Sequence, residues 1–174
     1  MKRGQFKDCI RNAKWLFIFM NHVSMFMDAD HQYLVRLLDE VIAEKIDSQR
    51  AKNIFAIFSI HLEKHILLED QILFPRFDEY IGLKKGMGPS VIAKRDHENI
   101  LKLLDQVKQA FENYNLQKIH YAGHHLYRAL TKHHEREGQI QYPLSNKFIP
   151  EDEWKSILFT IYGVKIYSIL PTLQ

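Results

Sequence analysis

The amino-acid sequence writes one phrase twice. His65, Glu69 and the pair Phe74-Pro75 recur at identical spacing as His133, Glu137 and Tyr142-Pro143. On a helix, residues four apart share a face and lie about 6 Å apart along the axis, so each His and its Glu reach one point beside the helix. A single His-x-x-x-Glu arises by chance in many helices. A second copy with the same downstream aromatic-Pro pair is far harder to obtain by chance. The repetition also reaches upstream. Asp30-His31 precedes Leu37-Leu38-Asp39 and Val41, while Asp96-His97 precedes Leu103-Leu104-Asp105 and Val107. The two halves keep near-constant register, with a two-residue difference in the loop between them.

Seven glycines and five prolines in 174 residues leave few helix breakers. From Asp28 a helical stripe runs through His31, Leu34, Val35, Leu38, Val41 and Ile42, with Asp28 or Asp30 as its N-cap or first-turn acid. It ends near Ile46, and Asp47-Ser48 caps the next helix. The second stripe holds Ile54, Phe55, Phe58, His61, Leu62, His65, Leu68, Glu69, Ile72 and Leu73, and Pro75 is expected to kink or end it. Gly82 to Pro89 reads as a loop. The third helix begins near Ser90 and carries His97, Ile100, Leu101, Leu104, Val107 and Phe111. Asn113 to Asn115 breaks the pattern. The fourth runs from about Leu116 towards Pro143 with Leu126, Ala129, Leu130, His133, Glu137 and Ile140 on one face.

After Pro150 a short closing helix is expected through Trp154, Ile157, Leu158 and Ile161. The fold class is therefore all-α. Two αα-hairpins make an up-down-up-down four-helix bundle, preceded by an apolar N-terminal segment. A single domain over residues 1–174 is expected, its bundle core at about 25–145.

Net charge is only +3, and the basic residues are spread along the chain, which argues against nucleic acid as a partner. The run from Trp15 to Met20, extended with interruptions to Met27, falls short of the ~18 apolar residues that span a bilayer. It reads as a buried or dimer-facing segment of a monomer or homodimer, with no membrane association. The lone Cys9 cannot form an internal disulfide, and a cytoplasmic location is the expectation. Ten histidines, clustered rather than scattered, are the compositional oddity.

The stripe-facing residues able to bind metal are His31, His65, Glu69, His97, His133 and Glu137. Any one of these histidines has an ordinary reading as a core residue bonded to backbone. Two carboxylates among Leu, Ile and Phe are costly to bury unless paired or metal-bound. A metal pair neutralises them, with bridging carboxylates and two terminal imidazoles per ion. Mixed nitrogen and oxygen donors suit iron or manganese, and zinc is compatible. Open positions would be left for water, oxide or a diatomic ligand. His61, one turn before His65 on the same stripe, reads as a packed histidine, with an outer donor or an alternative ligand as the other readings. His124, His125 and His134 read as surface or outer groups, and Arg136 stands where the first repeat has Leu68.

An isolated His followed by His-x-x-x-Glu and an aromatic-Pro pair, twice over on four helices, resembles the hemerythrin-like, or HHE cation-binding, family. The resemblance covers about residues 25–145. It implies a non-haem centre of two iron ions, carboxylate-bridged with an oxo or hydroxo bridge, on His31, His65, Glu69, His97, His133 and Glu137. Oxygen-carrying members add a His four residues after the third-helix His, where this chain has Leu101, and use an Asp late in helix four, where it has Glu137. The chain thus resembles the four-His, two-Glu branch. The implied function is binding of, or reaction with, oxygen, peroxide or nitric oxide. One alternative is an iron-donating factor that repairs iron-sulfur clusters in a protein client under nitrosative or oxidative stress. Another is a sensor of iron or of a diatomic gas.

Overall fold

The computed structural model describes residues 22–43, 48–84 and 86–162. The apolar run Trp15 to Met20 and the caps assigned to Asp47 lie outside the described residues. The described residues are helical, with α1 (Val23–Ile42), α2 (Ser48–Leu68), a π-helical turn (Glu69–Leu73), α3 (Phe74–Tyr80), α4 (Pro89–Glu112), α5 (Leu116–Phe148) and α6 (Glu151–Tyr162). The helices α1, α2, α4 and α5 pack in a ring in chain order, α5 closing against α1. The short connections from α1 to α2 and from α4 to α5 make the members of each of those pairs antiparallel.

Three boundaries differ from the sequence expectation. Helix α1 starts at Val23, five residues before Asp28, and neither Asp28 nor Asp30 caps it. Val23, Phe26 and Met27 are buried, so apolar contact rather than capping sets the start. Asp30 lies inside the helix and points into the bundle. Pro75 does not end the second helix. The chain instead widens into a π turn, in which Phe74 N–H donates to the Glu69 carbonyl, and then continues as α3. Pro75 sits in the first turn of α3, where a missing N–H costs least. Pro143 lies inside α5, which runs on to Phe148.

Two stripe members also face outward. Leu101 and Ile140 are exposed, while Gln141 and Tyr142 are buried. A 3.6-residue period advances from Glu137 to between positions 140 and 141, and packing selects the later one. Elsewhere the expected punctuation holds. Gly88 precedes α4 at φ 93°, ψ −168°, a backbone region essentially reserved for glycine. The Asn115 side chain accepts from Lys118 N–H at 3.0 Å and caps α5.

The core comes in two parts. One apolar cluster contains Leu34, Leu38, Phe58, Leu62, Ile100, Leu104, Leu126 and Leu130. The other contains Met27, Leu68, Phe74, Ala93, Tyr142, Ile149, Trp154 and Leu158, and α6 supplies its lid. On every bundle helix the metal-capable His falls between a residue of one cluster and a residue of the other. His31 lies between Met27 and Leu34, and His97 between Ala93 and Ile100. A polar layer is thus held between two dry ones.

Candidate metal centre

Each of the four bundle helices sends a motif imidazole into that layer, and the π turn and α5 each extend a carboxylate there too. His31, His65, His97, His133, Glu69 and Glu137 are all buried, so the structure brings together the six residues picked from the repeat. Glu69 opens the π turn, an irregularity that recurs at functional sites. The histidines meet in pairs through Nε2, at 3.1 Å for His31 and His65 and 2.9 Å for His97 and His133. Glu69 Oε2 lies 3.3 Å from His65 Nε2 and 3.1 Å from His97 Nε2. Glu137 Oε2 lies 3.2 Å from His133 Nε2 and 3.8 Å from His31 Nε2. Each carboxylate therefore touches one member of each histidine pair.

The outer nitrogens of His65, His97 and His133 face carboxylates. His65 Nδ1 lies 2.8 Å from Asp30 Oδ2, and the other Asp30 oxygen is 2.5 Å from His61 Nε2. The Tyr162 hydroxyl of α6 donates to Asp30 Oδ2 at 3.2 Å. His97 Nδ1 lies 3.0 Å from Asp70 Oδ1. A carboxylate accepting from Nδ1–H fixes the tautomer and turns the Nε2 lone pair to the centre, the arrangement found behind metal-bound imidazoles. Asp96, the repeat partner of Asp30, is 3.7 Å from His133 Nδ1 and pairs instead with Arg136. In the second repeat Gly138 stands where the first has Asp70.

Tyr142 enters the middle of the layer. Its hydroxyl lies 2.9 Å from His31 Nε2 and has one proton to donate, to Glu137 Oε2 at 2.8 Å or to Glu69 Oε1. The repeat-related Phe74 stacks on His97 with centroids 5.7 Å apart. Each aromatic-Pro motif thus places its ring beside the isolated His of the other half, and only Tyr142 brings a polar atom. The sequence marked this residue as part of a motif and left its hydroxyl unassigned.

The groups of the layer polarise one another. Burial opposes the charge of Glu69, but His65 and His97 hold its carboxyl well below the usual range. Burial and the Glu69 charge push Glu137 well above it. Burial likewise disfavours a charged His97, yet Asp70 and Glu69 lift it to about 9. Burial takes His133 down to about 3 and His31 well below its ordinary value. Despite burial, His61 and His65 keep Asp30 ionised, at about 2. Burial and Glu137 raise Tyr142 well above 10.

The residues fit a cation. Glu137 Oε1 is buried with no hydrogen-bond partner, although buried acceptors are normally satisfied, and Glu69 Oε2 faces the imidazole nitrogens of His65 and His97. Imidazole and carboxylate donors together suit a borderline or hard transition metal.

Two further features adjoin the layer. His134, expected as a surface or outer group, is buried beside the layer, and its ring stacks on His31 with centroids 3.4 Å apart and planes 2° from parallel. The helical step from His133 to His134 turns it towards α1. Between α4 and α5 a cavity of about 190 Å³ reaches the centre, lined by Ala93, Asp96, His133, Arg136, Glu137 and Gln141 among others.

Fold and site together define a helical-bundle domain with a buried His/Glu layer able to hold metal. The chain matches the family model described as the hemerythrin HHE cation binding domain over residues 22–117, more than half its length, and belongs to that family. The matched residues contain His31, His65, Glu69 and His97, and it is the fold that adds His133, Glu137 and Tyr142 from α5. No curated protein and no solved structure matches the chain. Among the described residues, no helix is long and apolar enough to cross a membrane.

Proposed function

We propose that this chain is a non-haem di-iron protein that binds or reacts with oxygen, peroxide or nitric oxide in the cytoplasm. The observation that carries the reading is the pairing of Nε2 atoms, with a carboxylate touching both pairs from either side. Two imidazole–metal bonds of about 2.1 Å at right angles put their nitrogens about 3 Å apart. The separations of 3.1 and 2.9 Å therefore suit one ion per pair. His31 and His65 would hold one iron, His97 and His133 the other, with Glu69 and Glu137 bridging. When bound, the irons would supply reversible electron exchange with a small oxidant.

The protein's own share is positioning and access. Asp30 and Asp70 aim the imidazoles, and Tyr142 holds a proton between the two carboxylates. The cavity beside His133 and Glu137 admits a small ligand, since a water occupies only about 30 Å³ of the liquid. Loading the protein with ferrous iron without air and then adding oxygen, peroxide or nitric oxide separately tests the reading. A near-ultraviolet charge-transfer band is expected with at least one of the three. Iron-loaded protein whose spectrum is indifferent to all three would refute it.

A further inference from the structure

We infer that His134 is a fifth imidazole donor to this centre, serving the half formed by His31 and His65. The inference rests on the two-iron reading above. His134 is 7% exposed, and neither of its ring nitrogens has a hydrogen-bond partner. Its neighbours in the layer are each engaged: His31 by Tyr142, His65 by Asp30, His97 by Asp70 and His133 by His97. A buried polar group left unpaired normally has an ion, a water or a functional demand to explain it. One ligand nitrogen each from His31, His65 and His134 lies within 4.8 Å of the others, a grouping able to hold an ion.

The ring of His134 is parallel to that of His31, and two parallel stacked imidazoles cannot both aim in-plane lone pairs at one ion. Ligation by both requires the stack to open. No hydrogen bond holds His134 in its present plane, so packing alone opposes the tilt.

The consequence is a centre with unequal halves. One iron would have three imidazoles, from His31, His65 and His134, and the other two, from His97 and His133. Asymmetry in the access route agrees with this. The cavity is lined by His133 and Glu137, and by none of His31, His65 or His134. An entering ligand therefore meets the half with fewer protein donors, where more coordination positions are open.

Mössbauer spectra and metal-competition titrations of iron-57-loaded wild type, His134→Phe and His134→Ala test this. Phe keeps a stacking ring and removes the donor nitrogens, while Ala removes both. Two unequal quadrupole doublets are expected in the wild type. In either folded variant one doublet should change and the other persist, and one of the two ions should bind at least about 10-fold more weakly, since losing a direct donor should cost no less than losing a group that only orients one. A folded variant with both doublets and both affinities unaltered overturns the inference while leaving the two-iron reading intact. A wild type that holds fewer than two irons removes that reading, and the inference falls with it. Should neither variant fold, pulsed electron-spin counting of imidazole nitrogens in the mixed-valence wild type decides. Five support the proposal and four overturn it.

Discussion

At the scale of single residues, the centre divides into groups that face the middle and groups that aim them. Asp30 belongs to the second kind, fixing His65 while gathering His61 and Tyr162. Asp30→Asn should leave the fold intact and weaken metal binding by about 10–100-fold. A competition titration against a chelator measures this, and an unchanged affinity would show that His65 needs no such support. Tyr142→Phe acts differently. It strips the metal-free layer of the proton shared between Glu69 and Glu137, at about 1–3 kcal/mol for a carboxylate left unsatisfied. In the loaded protein the ions take over that task, so the loss should be smaller. Urea unfolding of both forms gives the comparison, and equal losses would argue against this role.

The sequence showed the six inward-facing groups because the motif was written twice with constant spacing. It could not show the aiming groups, since their place depends on tertiary contact. Asp30 looked like a cap only while the helix seemed to start at Asp28. The burial of His134 depends on the angle at which α5 meets α1.

At the scale of elements, helix type and order were legible from periodicity, but not how closely the helices approach. Gly123 marks such a contact. A Cβ added there would lie 2.3 Å from Ile42 Cγ2, a branched methyl with little room to retreat. Intrinsic propensity favours Ala over Gly inside a helix by about 1 kcal/mol. Overpacking costs about 1–3 kcal/mol, so Gly123→Ala should lower stability on balance. A thermal melt showing a rise would mean that α1 and α5 separate more easily than their packing implies. The same limit explains Pro75. Sequence rules state that proline disturbs the helix that precedes it, and they do not say where the disturbance is absorbed. Here it appears as the π turn beginning at Glu69, a residue of the polar layer, and in α5 no π segment accompanies Pro143.

At the scale of the whole molecule, the polar layer lies between two apolar clusters that do not depend on it. Burial of each large aliphatic or aromatic side chain contributes roughly 1.5–3 kcal/mol, so the bundle should remain folded without metal. Metal removal would leave Glu69 charged and Glu137 protonated, with loosening confined to their turns. Hydrogen exchange on the two forms should show lost protection near Glu69 and Glu137 and little change around Leu38, Phe58 or Trp154. A uniform loss along all helices would contradict the two-cluster architecture. The central claim is narrower still: two histidine pairs and two shared carboxylates hold a pair of irons. Metal analysis of wild type, Glu69→Ala and Glu137→Ala after iron-replete expression tests it most directly. The account predicts about two irons per wild-type chain, since mixed imidazole and carboxylate donors favour such a metal, and loss of the paired centre in both variants. One zinc and no iron in the wild type, or two irons retained in both variants, would contradict it.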